Sequence, residues 1–81
     1  MLKVIRLKNI QPEKALRSVR IAGVLGYMIN WGCEIDSANR RLIFTLKHGS
    51  GSGGSFDQEL QKAASELEKF IRSIDLPEEN E

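Results

Sequence analysis

The sequence has few of the side chains from which disulfides, metal sites and catalytic centres are usually built. Its 81 residues include one cysteine, Cys33, and one histidine, His48. A single cysteine cannot form a disulfide within the chain, and one cysteine with one histidine falls short of a zinc site. We therefore expect no metal and no cofactor, and we expect Cys33 to pack as a small apolar side chain at the start of a strand.

Long apolar segments are also absent from the sequence. The most apolar run, residues 21–31, contains two glycines and is too short to span a bilayer, so it suits a buried helix instead. The first residues lack the apolar segment and small-residue cleavage site of a secretion signal. We expect no membrane insertion by this chain and, for the sequence as written, a cytoplasmic location.

No combination of residues predicts catalysis. His48 is the only candidate base for the serines, and it begins the Gly/Ser-rich stretch 48–55, whose composition predicts a flexible linker. The glycines of that stretch are not followed by the Lys-Ser/Thr pair of a phosphate-binding loop. Glu34 and Asp36 alternate along a predicted strand, which is typical of a solvated face. The sequence therefore predicts a protein that is not an enzyme.

The composition that is present, 41% hydrophobic and 28% charged residues, is typical of a globular domain. We predict one compact domain over residues 1–76, with the linker 48–55 inside it and a disordered acidic tail at 77–81. Residues 1–47 carry nine Lys/Arg against three Asp/Glu, whereas residues 48–81 carry three against eight. This asymmetry permits either attraction within one domain or a head-to-tail contact between copies.

The most distinct element is a helix that begins at residue 56 and stops by about Asp75. Its apolar residues recur at steps of three and four, which gives the helix one buried face. These residues are Phe56, Leu60, Ala63, Leu67, Phe70, Ile71 and Ile74. Ser55 is the predicted N-cap, and Pro77 cannot continue a helix.

Residues 2–8 predict a strand, and Pro12 suits the first position of a second helix. We expect that helix to continue to Ile29, with Gly32 as its left-handed terminator. Gly23 and Gly26 lie inside it and each costs about 1 kcal/mol relative to alanine. Either another element packs closely against them, or the helix bends or breaks there.

Residues 33–36 and 42–47 predict two strands joined by a turn at 37–40, which together form a β-hairpin. Alternation in the second strand directs Leu42, Phe44 and Leu46 inward. The predicted order is β-α-β-β-α. The fold class is therefore α+β, with a three-stranded sheet and two helices packed on one face.

Aromatic and basic residues are the candidates for a partner-binding surface. Tyr27 and Trp31 are four residues apart and would share a face of a continuous helix, either as a core anchor or as a binding hot spot. Arg40 and Arg41 flank the hairpin turn, where they are either solvated or bind phosphate or an acidic partner.

Charge on the two helices suggests how copies of the chain would associate. We expect the basic region of the first helix of one copy to approach the acidic face of the last helix of another, with an aromatic anchor. The residues involved are Lys14, Arg17 and Arg20 on the first helix and Glu59, Glu66 and Glu68 on the last. The partner is thus a second copy or another protein. The alternative is nucleic-acid binding through the basic N-terminal half, by Arg6, Lys8, Arg40 and Arg41.

Three segments resemble the short periplasmic ring-building domain of secretins, the outer-membrane secretion channels. Residues 7–16 (LKNIQPEKAL) resemble its "LKN" passage from strand to helix. Residues 36–44 (DSANRRLIF) are similar to its "D-x-x-x-N-x-L-I-V" hairpin, and residues 70–77 (FIRSIDLP) to its closing "I-x-x-L-D-x-P". The resemblance implies a wedge-shaped, non-catalytic module that packs side by side with its copies in a ring, in the periplasm if the chain is an excised secretin domain.

Residues 23–26, GVLG, match the G-x-x-G loop of the KH RNA-binding domain, whose compact core is related in shape. In that loop the middle residues are polar or basic so that it can approach phosphates, whereas here they are Val24 and Leu25. This second resemblance implies the nucleic-acid-binding alternative.

Overall fold

The computed structural model describes residues 1–26, 28–49 and 56–77. The elements run β1 (Leu2–Arg6), α1 (Pro12–Ala22), β2 (Ile29–Asp36), β3 (Arg41–His48) and α2 (Phe56–Ile74). This order confirms the predicted α+β class and the β-α-β-β-α arrangement. Most of the predicted linker and the acidic tail, at 50–55 and 78–81, lie outside the described residues, so their flexibility and disorder stay predictions.

The three strands form one antiparallel sheet in the order β1-β3-β2, so that β3 lies in the centre. Leu42, Phe44 and Leu46 of β3 are fully buried on one face, as their alternation predicts. Both helices cover that face: α1 contacts β2 and β3, and α2 contacts β3 and α1. The core therefore lies between the helices and the inner face of the sheet.

The long helix α2 buries the face that its periodicity predicts. Ala64, Leu67 and Ile71 are buried in the core, and Leu60 and Phe70 pack partly buried beside them. The last helical residue is Ile74, directly before Asp75, so the predicted end is confirmed. The predicted N-cap, Ser55, lies outside the described residues.

The prediction that the first helix continues to Ile29 is wrong. α1 ends at Ala22, because Gly23 adopts the left-handed conformation (φ 63°) and its N–H bonds back to the carbonyls of Val19 and Arg20. Gly26 is left-handed as well (φ 67°). Gly23 therefore ends the helix, and the chain turns through both glycines. Of the three outcomes considered for them, close packing, a bend or a break of the helix, the structure shows the break.

The early end of α1 leaves room for a longer β2. This strand begins at Ile29, four residues before the predicted start, and Gly32 lies within it rather than at a helix end. Cys33 is accordingly in the middle of the strand and half-buried, not at its start. Met28, expected in the apolar half of a helix, is 60% exposed.

Candidate functional site

A shallow groove runs between α1 and β2 along one side of the molecule. Two adjoining cavities, of about 330 and 280 Å³, follow this groove and share Arg20 in their linings. We call it the α1–β2 groove; its lining includes Leu16, Arg17, Arg20, Leu25, Trp31 and Ile35. The groove combines an apolar floor with two guanidinium groups.

Trp31 is the centre of the groove. Its ring packs against buried Phe44 with 5.7 Å between centroids, and the guanidinium carbon of Arg20 lies 5.6 Å from the centroid of the indole. A cation over an indole face is an attractive arrangement, so Arg20 is held near the ring rather than moving freely in solvent. Trp31 nevertheless remains only half-buried, and Ile35 is 37% exposed.

The backbone of β2 beside the groove is an unpaired sheet edge. Gly49 N–H donates to the carbonyl of Met28 at 2.9 Å, so the polar groups of Met28 point towards β3. Antiparallel pairing alternates these directions along the strand. Asn30, Gly32, Glu34 and Asp36 therefore bond to β3. Ile29, Trp31, Cys33 and Ile35 direct their N–H and C=O groups outwards instead.

We call this outward row of β2 the open edge. Across residues 1–26, 28–49 and 56–77, no hydrogen bond to its backbone groups is found. The thiol of Cys33 is the reactive group beside it, but burial raises the pKa of that thiol to about 11. At neutral pH Cys33 is thus protonated and a poor nucleophile.

Within the described residues, the backbone at the opposite edge of the sheet, at β1, is hydrogen-bonded to α2 only at its end. Arg72 donates from Nη1 to the carbonyl of Arg6 at 2.9 Å. Just beyond β1, the carboxylate of Asp75 accepts the backbone N–H groups of Lys8, Asn9 and Ile10 at 2.8, 2.7 and 2.8 Å. The C-terminal end of α2 is thereby tied to the segment between β1 and α1.

Asp75 is 8% exposed, and its environment acts on its pKa in two directions. Burial is the largest single effect and raises the pKa of the carboxyl. The three backbone donors, with the charge of Arg72, outweigh burial together, so the pKa of Asp75 lies below its usual range.

Of the predicted partner-binding residues, three come together. Arg17, Arg20 and Trp31 line the α1–β2 groove, although Trp31 does so from a strand and not from a helix. Lys14 lies on the other side of α1, in a separate cavity that also includes Ile74 of α2. Tyr27 lies outside the described residues.

Arg40 and Arg41 are both engaged within the chain. Arg40, which has a positive φ of 52°, donates from Nη2 to the carbonyl of Ile10 at 2.8 Å. Arg41 forms an ion pair with Asp36, 2.6 Å from Nη2 to Oδ2. The three segments that resemble the secretin domain therefore meet, because Ile10 contacts both the hairpin and Asp75. Hydrogen bonds thus join these segments within the folded chain.

The acidic residues of α2 do not form one surface. Glu59 lies 2.6 Å from Nε2 of His48, and Glu68 lies 2.7 Å from Lys3 and 3.3 Å from Arg72. Glu66 is exposed. At 3.6 residues per turn, Glu59 and Glu66 share a side of the helix, whereas Glu68 is roughly 160° away from Glu66 around the axis. The expected acidic counterpart of the basic groove is thus split.

The segment that matches the KH loop is a turn between α1 and β2, but its middle is not offered to a ligand. Leu25 is 6% exposed, and Val24 is packed against the core.

The part of the chain that the structure describes contains no group of three His, Cys, Asp or Glu residues placed to hold a metal ion. None of its helices has the length and apolar character needed to cross a membrane.

Sequence reasoning missed the two features that set this site. The open edge was missed because residues 29–35 were assigned partly to a helix, although Ile29, Trp31, Cys33 and Ile35 alternate with a period of two. The hydrogen bonds from the backbone of residues 8–10 to Asp75 were missed as well. These residues precede Asp75 by 65 to 67 positions, and no local sequence pattern connects the two segments.

Comparison with known proteins adds no relative. No protein-family model, no curated protein and no solved structure matches this chain.

Proposed function

We propose that the chain is a non-enzymatic assembly module that associates with copies of itself through the α1–β2 groove and the open edge beside it. The observation that carries the proposal is the position of the half-buried Trp31. Its backbone lies on the unpaired edge, and its ring lies beside the exposed Arg20. Tryptophan and arginine carry a disproportionate share of binding energy at protein interfaces.

Two physical features favour a protein partner over a small molecule. The groove is shallow and lies open along its length, so it would enclose little of a small ligand. An unpaired strand edge, in contrast, offers a row of donors and acceptors that suits another polypeptide backbone. The resemblance to secretin ring-building domains supports an assembly role as well, and it would place the chain in the periplasm.

The test is the molar mass of the chain, measured by analytical ultracentrifugation across concentration and salt. We expect the mass to rise above the 9.1 kDa of one chain as concentration increases. The variant Arg17→Gln/Arg20→Gln removes both cations of the groove and should stay monomeric at concentrations where the natural chain associates. Its matched control, Lys14→Gln/Lys62→Gln, removes two exposed cations elsewhere and should associate normally.

A natural chain that remains monomeric at its highest soluble concentration and at low salt contradicts the proposal. So does equal loss of association in the two double variants, because the effect would then follow net charge and not the groove. A parallel titration with a short RNA covers the remaining alternative. RNA binding that weakens steeply as the salt concentration rises would favour nucleic-acid recognition, instead of assembly, as the function of the chain.

A further inference from the structure

The open edge has a pattern that matches itself. Ile29, Trp31, Cys33 and Ile35 present their backbone groups outwards at every second position of β2. We propose that this edge pairs antiparallel with the same edge of a second copy, around a two-fold axis at Gly32, to form a continuous six-stranded sheet. The inference rests on the proposed self-association and specifies its geometry.

The register follows from the positions of the outward residues. β2 covers Ile29–Asp36, and a centre at Gly32 places all of its outward residues opposite one another. In that register Trp31 lies opposite Cys33 of the second copy, and Ile29 lies opposite Ile35. All these residues have outward backbone groups, so each opposed pair exchanges two hydrogen bonds. A centre at Cys33 would instead place Ile29 opposite Ser37, which lies in the turn.

Side chains on both faces of the sheet suit this register. On the helix side, Ile35 is 37% exposed and Trp31 is half-buried, and the second strand would cover both. On the outer side, Gly32 would lie opposite its own copy, so no side chains collide at the axis. Glu34 would lie opposite Asn30, so like charges do not face each other across the pair.

Charge on α1 favours a second copy over an unrelated strand. Glu13 lines the cavity beside Ile35 together with Arg17 and Arg20, and Arg20 extends from there along the groove to Trp31. The two-fold axis would bring the Ile35 end of one copy beside the Ile29 end of the other. Glu13 of each copy would thus approach Arg20 of its neighbour, an arrangement in which one contact generates its symmetric counterpart.

A disulfide at the axis tests the register. The variant Gly32→Cys, made together with Cys33→Ser, places the only thiol at the two-fold axis. A Cβ atom at Gly32 meets no heavy atom within 4 Å, so the monomer accepts it. Residues facing each other in a non-hydrogen-bonded pair have Cα atoms about 4.5 Å apart, which is within disulfide range. We expect rapid formation of a covalent dimer with oxidised glutathione under native conditions.

The matched control is Asn30→Cys with Cys33→Ser, on the same face of the same strand. Its thiol would lie opposite Glu34, about 13 Å along the strand from its own copy, so cross-linking should be at least tenfold slower. Equal rates for the two variants, or no covalent dimer with Gly32→Cys, overturn the inference. If the natural chain associates nevertheless, the proposed function stands and only the pairing of β2 is wrong.

A second variant, Cys33→Pro, tests the hydrogen bonding directly. Proline removes an N–H that points to the open edge, so the β2–β3 ladder of the monomer keeps its bonds. We expect a folded chain by circular dichroism whose association is at least tenfold weaker. Glu34→Pro, which removes an N–H bonded to β3, should instead destabilise the monomer. Undiminished association of folded Cys33→Pro overturns the inference.

Discussion

The two edge strands of the sheet, β1 and β2, differ in their hydrogen bonds to the rest of the molecule. β1 is short, and α2 satisfies the backbone at and beyond its end through Arg72 and Asp75. β2 is longer, and in the described part of the chain its outward backbone groups have no hydrogen-bond partner. Tertiary hydrogen bonds therefore reach the end of the β1 edge, at Arg6, whereas in the described residues none reaches the outward groups of β2.

This difference shows where a small domain can place an interface without losing its fold. Most contacts that tie α2 to the sheet lie on the β1 side and in the core; the contact of Glu59 with His48 lies on β3, beside the start of β2. The proposed pairing at β2 would add hydrogen bonds without replacing any of these. Unpaired edges usually carry protective features, so the open edge beside Trp31 is where the proposed pairing can be tested.

The largest effect should come from releasing the end of α2 from residues 8–10 with Asp75→Ala. The substitution leaves the N–H groups of Lys8, Asn9 and Ile10 without their charged acceptor in a site with little solvent access. We expect the free energy of unfolding to fall by about 3 kcal/mol, as measured by urea denaturation. Asp36→Ala is the control on the β2 side; it removes a partly exposed ion pair with Arg41 and two hydrogen bonds from Asn39, and it should cost less.

Acid titration of stability sharpens this first prediction. The pKa of Asp75 is lower in the folded chain than its ordinary value of 3.8. Its contribution is therefore fully present above that value and is lost as the pH falls towards the folded pKa. The variant Asp75→Ala should lose less stability than the natural chain over this acidic range. Parallel acid curves for the two chains would show that the carboxylate is not what ties α2 to residues 8–10.

A smaller effect is expected where α1 turns towards the open edge. Gly23→Ala forces a side chain into a left-handed conformation (φ 63°) and should lower the free energy of unfolding by about 1 kcal/mol. Gly32→Ala is a matched control, because φ there is not positive and the added Cβ meets no heavy atom within 4 Å. Equal losses of unfolding free energy in Gly23→Ala and Gly32→Ala, measured by urea denaturation, would contradict the view that the left-handed conformation at position 23 requires glycine.

The same turn explains how far the sequence alone could predict the fold. The face of α2 and the inward residues of β3 follow from strong local periodicity, and both predictions are confirmed. Residues 21–31 carry two overlapping patterns, an apolar run typical of a helix and an alternation typical of a strand. Gly23 decides between them by ending α1, but a glycine in a sequence does not reveal its φ angle.

The candidate site was predictable only in part, because it depends on which edge of the sheet is covered. Arg17 and Arg20 could be selected from charge on α1, and Trp31 from its residue type. Their meeting with Ile35 requires the strand order β1-β3-β2, which is set by long-range packing. The hydrogen bond from Arg40 to the carbonyl of Ile10 is also a distant contact, so it could not be foreseen from the sequence.

The smallest effect should come from a different polar attachment of α2, at His48 beside the start of β2. His48 is paired with Ile29 in the sheet, and its Nε2 lies 2.6 Å from the carboxylate of Glu59. The hydrogen bond with Glu59, followed by that with the Gly49 carbonyl, raises the pKa of His48 above 6.5. We expect NMR titration to show this raised pKa, and Glu59→Gln to return it towards the ordinary value.

The pH dependence of this contact is opposite to that of Asp75. Because the pKa of His48 is raised by folding, its stabilisation is fully present below 6.5 and disappears as the pH rises through the folded value. Glu59 is largely exposed, so the change in stability should be slight and sensitive to salt. The control Glu66→Gln, on the same side of α2, should leave the His48 titration unchanged. An equal shift in both variants would mean that His48 responds to the general charge of the helix and not to its contact with Glu59.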